Sequence, residues 1–342
     1  MKTIAFFNNK GGVGKTSLTY HLAWMFAELG LRVIAIDLDP QSNLTSSFLE
    51  DETLEELWSE ERAPRTIFGS LDPLLNRLGD MKPPKLIDVD ERIRLIPGDL
   101  GLSTFEDRLA DAWSKCLDDD KANAMDAARA TTAFYRIMES ADATFESDVV
   151  LIDVGPNLGS VNRAALVAAD HVVIPLAADL FSLQGLKNLG PTLRAWREGW
   201  TTRADRLARF NVGRDAITLP SGAMAPAGYV VMQPSSRERY PVAYRRWIAR
   251  IPEAYRVKIL GEDGPFQIPD PDPYALAVLK NHRSLAPMAQ DARKPMFALK
   301  PADGAIGSQV AAVKDCYRSI RGVASQLITR CGLPRPLAAV GV

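Results

Sequence analysis

Residues 8–16 read Asn8-Asn9-Lys10-Gly11-Gly12-Val13-Gly14-Lys15-Thr16, and they narrow the choice of folds more than any other stretch. An apolar run from Thr3 to Phe7 leads into them, and an amphipathic stretch beginning at Ser17 leads out. Strand, glycine-rich turn and helix start, in that order, form the setting in which a phosphate-cradling loop works. Glycines let backbone N–H groups converge on a polyphosphate, and the helix N-terminus adds a favourable field. On this reading Gly11, Gly12, Val13, Gly14, Lys15, Thr16 and Ser17 line a nucleotide. Lys15 reaches the outer phosphates, and the Thr16 hydroxyl ligates a magnesium ion. The plain alternative is a glycine-rich turn without a ligand, and the flanking strand and helix argue against it.

In the common pattern G-x-x-x-x-G-K-S/T the first glycine would fall at position 9, which here is Asn9. A second lysine, Lys10, heads the loop instead. This Lys-Gly-Gly-Val-Gly-Lys-Thr arrangement resembles the deviant Walker A loop of the ParA/MinD ATPases. The resemblance implies that Lys10 reaches the partner subunit's nucleotide, so that ATP is sandwiched in a homodimer.

Two further motifs extend it. Ile34-Ala35-Ile36-Asp37-Leu38-Asp39-Pro40-Gln41 ends a second apolar strand, and ligands of open α/β sheets bind beyond that end of the strands. The family's D-x-D-P-Q pattern matches, which implies that Asp39 orients the attacking water and Asp37 supports magnesium and its waters. Gln41 then belongs to the first switch. Capping of the following helix is the other use for such a carboxylate pair. Val149-Val150-Leu151-Ile152-Asp153 ends in an acid that fits the Walker B role, holding magnesium through water. The family usually continues D-x-P-P, whereas Gly155 here replaces a proline and adds flexibility and a backbone donor. Downstream, the runs Asn162 to Asp170 and Phe181 to Leu186 continue the likeness, which is strongest over residues 1–48 and 148–190. Gln267-Ile268-Pro269, read as preceding a helix, resembles the adenine-side loop. Gln233, at the end of the strand before it, is the candidate base reader.

Short β-branched runs alternate with helical stretches. Strands are expected over 3–8, 32–37, 93–97, 148–153, 171–176 and 228–233. Helices are expected over 15–29, 104–117, 122–143, 160–169, 183–199, 241–250, 274–280 and 305–330. The predicted class is α/β, a doubly wound, mostly parallel sheet with helices on both faces, of P-loop NTPase type with helical and loop insertions. Residues 1–333 read as a single domain and 334–342 as a short flexible tail. The insertions fall near 50–90, which opens acidic, near 200–226, which is loop-like, and near 234–265, which is basic and aromatic.

Net charge over 342 residues is −1, so nucleic-acid binding would need a local patch. Cys116, Cys316 and Cys331 are too few and too scattered for a disulfide framework. No apolar run approaches the ~20 residues of a bilayer span, and the tail after Arg330, with two prolines, makes no interfacial helix. A cytoplasmic protein without membrane insertion is expected.

On the last predicted helix an apolar seam (Ile306, Val310, Val313, Tyr317, Ile320, Ala324, Leu327, then Cys331) should face the core. Beside it Lys314, Arg318 and Arg321 form a basic row, with Lys294 and Lys300 near by. By resemblance that row is a site for non-specific DNA; a solvated charged face is the alternative. The segment Arg237 to Lys258, with Tyr240, Tyr244, Trp247 and Tyr255 interleaved, is a second candidate.

The resemblance thus implies a Mg-ATP-driven homodimer that binds DNA or another scaffold and hydrolyses ATP when a partner protein stimulates it. Partition of DNA or positioning of cargo would follow. A nucleotide-gated signalling or defence subunit, docking an effector through the insertions, is the competing expectation. An electron-transfer ATPase would need a cysteine pair that the sequence does not offer. Amide-forming synthetases lack the complete D-x-D-P-Q motif.

Overall fold

The computed structural model describes residues 1–59, 65–233, 246–282 and 284–334. Among them the strands are β1 Thr3–Phe6, β2 Val33–Leu38, β3 Ile87–Asp90, β4 Ile93–Ile96, β5 Val149–Val154, β6 His171–Ala177, β7 Ala225–Met232 and β8 Ala275–Leu279. They make one sheet in the order β3-β4-β2-β5-β1-β6-β7-β8. Every pairing is parallel except the hairpin of β3 on β4.

The helices begin with α1 Lys15–Glu28, α2 Asn43–Phe48, α3 Asp51–Leu57 and α4 Ile67–Leu75. Then come α5 Phe105–Lys115, α6 Lys121–Thr131, α7 Ala133–Phe145, α8 Ser160–Val167 and α9 Leu180–Ala208. The chain closes with α10 Ile251–Tyr255, α11 Ala286–Asp291 and α12 Ser308–Cys331.

Alternation along the strands sends successive side chains to opposite faces, and both faces are dry. Ile4, Phe6, Leu151 and Val173 join α1 and α12 in one core. Ala5, Phe7, Ile152 and Ile174 join α5 to α9 in the other. This is the doubly wound arrangement expected, and it places the loops after β1, β2 and β5 on one rim.

Several expectations need correction. Within the expected 274–280 helix, Ala275–Leu279 form β8 instead: Ala and Leu favour helix locally, but the open edge of β7 offers a hydrogen-bond ladder and overrides propensity. The 122–143 helix is broken into α6 and α7 at Thr132, whose hydroxyl donates back to the Ala128 carbonyl at 2.8 Å. Residues 200–208, read as loop, belong to α9, and β3 lay unseen inside the acidic insertion. The seam of α12 is buried at Ile320, Ala324, Leu327 and Cys331, but Ile306 and Val310 are exposed. The expected 241–250 helix, with Arg237, Tyr240 and Tyr244 around it, lies largely outside the described residues.

The acidic insertion is anchored. Arg136 grips Asp80 with both guanidinium nitrogens at 2.7 Å, and Trp58 Nε1 donates to the Gly98 carbonyl at 3.2 Å.

Candidate active site

The loop from β1 to α1 is shaped by two left-handed glycines, Gly12 at φ 72° and Gly14 at φ 78°. A Cβ on Gly14 would also stand 2.9 Å from Met232 Cε, so only glycine fits there. Val13 is buried while Gly11 and Gly12 are exposed, which pins the middle of the loop and leaves its crest open. The Lys15 ammonium lies back across the loop, 3.4 Å from the Lys10 carbonyl. Burial lowers the Lys15 pKa, with Asp153 and Asp39 opposing.

Beside it, three carboxylates converge from the ends of β2 and β5. Asp37 accepts from the Thr45 amide and hydroxyl, both at 2.8 Å, and from the Asp39 amide at 3.2 Å. Asp39 accepts from the Gln41 amide at 3.0 Å, and Gln41's own side chain is exposed. Asp153 accepts from the Thr16 hydroxyl at 2.6 Å through Oδ2, while its Oδ1 is buried without a hydrogen-bond partner. Burial pushes Asp37 up to about 6 despite its hydrogen bonds, and burial plus the neighbouring Asp37 carboxylate push Asp153 well above the usual range. Anionic oxygens crowded in a dry site next to a buried lysine leave negative charge to be neutralised.

A magnesium ion fits this arrangement. The donors are hard oxygens, one of them an unpartnered buried carboxylate atom, and Thr16 donates its proton to Asp153 with lone pairs left over. Among the described residues no three His, Cys, Asp or Glu side chains are arranged to hold a metal alone. The ion would therefore share phosphate and water oxygens, as Mg²⁺ prefers.

Lys10 is not free. Its ammonium forms an ion pair with Asp179 at the end of β6, and stands 5.8 Å from the Phe181 ring centroid. Asp179 Oδ1 also caps α9 by accepting from the Ser182 amide at 2.8 Å. Against partial burial, Lys10 and Ser182 hold the Asp179 carboxyl below its usual range. Beside this pair Leu180 and Phe181 are exposed.

Two clefts flank Ser17. One runs between Met232, Leu279, Lys280 and His282; the other, of about 390 Å³, opens between Asn43, Ser46, Gln290 and Arg293. Gln233 does follow β7 directly, with its amide bonded to the Leu279 carbonyl at 2.8 Å. Pro269 is exposed and leads into β8 from the amino rim, so the structure does not bring it to the loop. Because β8 is a parallel strand, its carboxyl end puts Leu279, Lys280 and His282 beside Ser17 in the first of these clefts.

Lys10, Lys15, Thr16, Asp37, Asp39 and Asp153 thus share one rim, as their motifs implied. Sequence reading passed over Asp179 and Thr45, and took Asn162 only as the start of a family-like run. Only Asp179 carried a local signal, an acid three residues ahead of Ser182 at a helix start. Lys314, Arg318 and Arg321 are exposed on α12. Arg246 and Arg250 lie over the Trp247 ring at 5.6 and 5.4 Å.

Comparison with known proteins agrees with this geometry. The AAA domain family matches residues 1–203. Protein IncC of Escherichia coli is 34% identical over 198 residues, 58% of this chain and 47% of that protein. The chain thus spans about half the length of that relative. The chromosome-partitioning ATPase Soj of Thermus thermophilus is 31% identical over 223 residues, 64% of this chain and 72% of Soj. Among solved structures, McdA of Cyanothece in complex with ATP superposes at a TM-score of 0.63 over 98% of both chains, with 16% identity, a likeness of fold.

Proposed function

Since the chain belongs to the AAA domain family, in its ParA/MinD branch of P-loop ATPases, we propose that it is an ATP-driven partition or positioning switch. It binds Mg-ATP, pairs into a homodimer with the nucleotides in the seam, engages non-specific DNA, and hydrolyses ATP slowly until a partner protein stimulates it. The observation that carries this reading is the single rim on which Lys15, Thr16 and the three carboxylates meet, with Asp153 Oδ1 buried and unpartnered.

In the proposed reaction water attacks the γ-phosphorus as the bond to the β–γ bridging oxygen breaks, yielding ADP and phosphate. Asp39 orients the water, its carboxylate steadied by the Gln41 amide. Lys15 and the loop amides neutralise the terminal phosphates, and the nucleotide relieves the cost of burying that ammonium. Thr16 would hold Mg²⁺ directly, with Asp37 and Asp153 acting through water; the ion supplies further charge neutralisation. Lys10 completes the partner subunit's site, and for that it must leave Asp179. Exposed Leu180 and Phe181 beside it support a seam there, since apolar groups gathered at a charged rim suit a partner surface. Cations delivered across such a seam contribute roughly 10³–10⁵ in rate.

The exposed row Lys314, Arg318 and Arg321 supports DNA binding. The anchoring of the acidic insertion favours the second reading, a dimer that docks a protein effector. Trp58 holds the Gly98 carbonyl, and a Cβ on Gly98 would lie 2.9 Å from the Asp37 carboxyl carbon, so the insertion abuts the first switch.

Sizing the chain with ATP, ADP and no nucleotide, each with and without DNA across a salt series, separates the two. Several phosphate contacts give a steep log–log slope; ATP dimers indifferent to DNA favour the effector. Lys15→Ala should abolish nucleotide binding, and retained Mg-ATP affinity would contradict the loop assignment.

A further inference from the structure

The loop 155–159, which connects β5 to α8, is held by two side chains that the proposed reaction does not use. Buried Asn162 donates through Nδ2 to the Gly155 carbonyl and to the Asn157 carbonyl, both at 2.8 Å. The first amides of α8 then find their acceptor on another element. Glu106 of α5 accepts from the Ser160 amide through Oε1 and from the Val161 amide through Oε2, the latter at 3.0 Å. Gly159 sits at the N-cap with no side chain to offer.

A helix of this kind is usually capped locally, by a Ser, Thr, Asp or Asn at the N-cap. Here the cap comes from α5, so the start of α8 cannot shift unless α5 follows or both bonds break. A second tie points the same way: Arg163 of α8 stacks on Trp113 of α5 at 4.4 Å, and Arg203 of α9 covers Trp113 at 4.0 Å. The loop so anchored lies on the reacting edge. A Cβ on Gly155 would stand 3.3 Å from Asp39 Oδ1, and one on Gly11 would stand 4.0 Å from Pro156 Cγ.

We propose that Glu106 is a positioning residue for ATP hydrolysis: by bridging α5 to the first turn of α8, it fixes the 155–159 loop against Asp39. The proposal rests on the ATPase reading above. Glu106 touches no reacting atom and acts through the loop, where misplacement by an ångström is costly in rate.

The test compares Glu106→Ala with the double variant Glu106→Ala/Gly159→Ser, in which the serine supplies a local cap that does not reach α5, and with Glu106→Ala/Gly159→Ala, which carries the same Cβ 2.9 Å from Asn157 Oδ1 without the cap. Steady-state kcat and KM for Mg-ATP, thermal unfolding, and amide hydrogen exchange over 154–168 are measured on each. Glu106→Ala should lower kcat about tenfold with KM unchanged, and should speed exchange at the start of α8. The serine double variant should recover the unfolding temperature but not kcat. Glu106→Gln, which keeps one acceptor, should recover part of the rate. Recovery of kcat by the local cap would make Glu106 an ordinary helix cap and overturn the proposal. So would a fall in kcat that only follows thermal stability, or exchange that does not change. Absence of Mg-dependent ATP turnover in the unsubstituted chain would overturn the ATPase reading and this proposal with it. Normal turnover there, matched by Glu106→Ala, overturns only the positioning role.

Discussion

Acidification should loosen the helix that carries the phosphate loop, through one imidazole. His21 lies on α1, buried; its Nδ1 is 2.6 Å from the Ser17 carbonyl, and its Nε2 accepts from the Met296 amide at 3.1 Å. Those partners require a neutral ring with the proton on Nδ1. A proton on Nε2 would face a donor, and burial pushes the pKa from 6.5 down to about 4. A base whose folded pKa is depressed contributes stability above its unfolded value, and that stability is lost as pH falls from 6.5 towards 4. Going from pH 7 to pH 4 should therefore cost about 3 kcal/mol at this residue. Asp37 and Asp153 titrate with the opposite sign, so the raw stability curve mixes both. Urea unfolding of the unsubstituted chain and of His21→Gln at pH 7, 6, 5 and 4 isolates the histidine as a difference; glutamine can still accept from the Met296 amide. The difference should close by about 3 kcal/mol over that range. A flat difference would mean that His21 is protonated at no cost and that the neutral-ring geometry is wrong.

The carboxylates make a complementary prediction. Asp37, raised to about 6, and Asp153, raised well above the usual carboxylate range, favour their protonated forms when folded. Stability that Asp37 contributes below pH 4 is lost as pH rises through about 6, Asp153 acts in the same direction, and Mg-ATP should restore what is lost. Thermal shifts with Mg-ATP should grow from pH 5 to pH 8, and equal shifts would contradict a shared cation site. Asp179→Asn keeps an N-cap for α9 but removes the charge that holds Lys10. ATP-dependent dimers should then form at several-fold lower protein concentration by sedimentation; an unchanged dissociation constant would show that the ion pair does not restrain the lysine. Gly190→Ala would drive a Cβ into the Lys258 carbonyl where α9 meets the turn after α10. Backbone cannot yield as a side chain can, so unfolding should be easier by about 3 kcal/mol; a neutral result would refute the close approach.

How much of the molecule was legible varies by element. The strands ending at Asp37 and Asp153 were readable because both faces are buried and the apolar run is unbroken. β8 was not, since its residues favour helix until β7 offers an edge. That one misreading carried Pro269 with it: with a strand after it, the rim that bears the glycine-rich loop is reached at Leu279 and Lys280 instead. The exposure of Ile306 and Val310 was equally invisible, because a periodic apolar seam says which residues share a face but not how far the neighbouring elements cover it.

Local sequence was enough for the glycine-rich loop, the carboxylates at the strand ends and the strands that carry them, because each depends on residues close in the chain. Glycine spacing, strand hydrophobicity and the acids that follow are local facts. The folded chain alone shows which groups Lys10 and Glu106 meet, because those partners, Asp179 and the first amides of α8, lie 169 and 54 residues away. Such contacts follow from the strand order that sets β1, β5 and β6 side by side, and no local pattern encodes it.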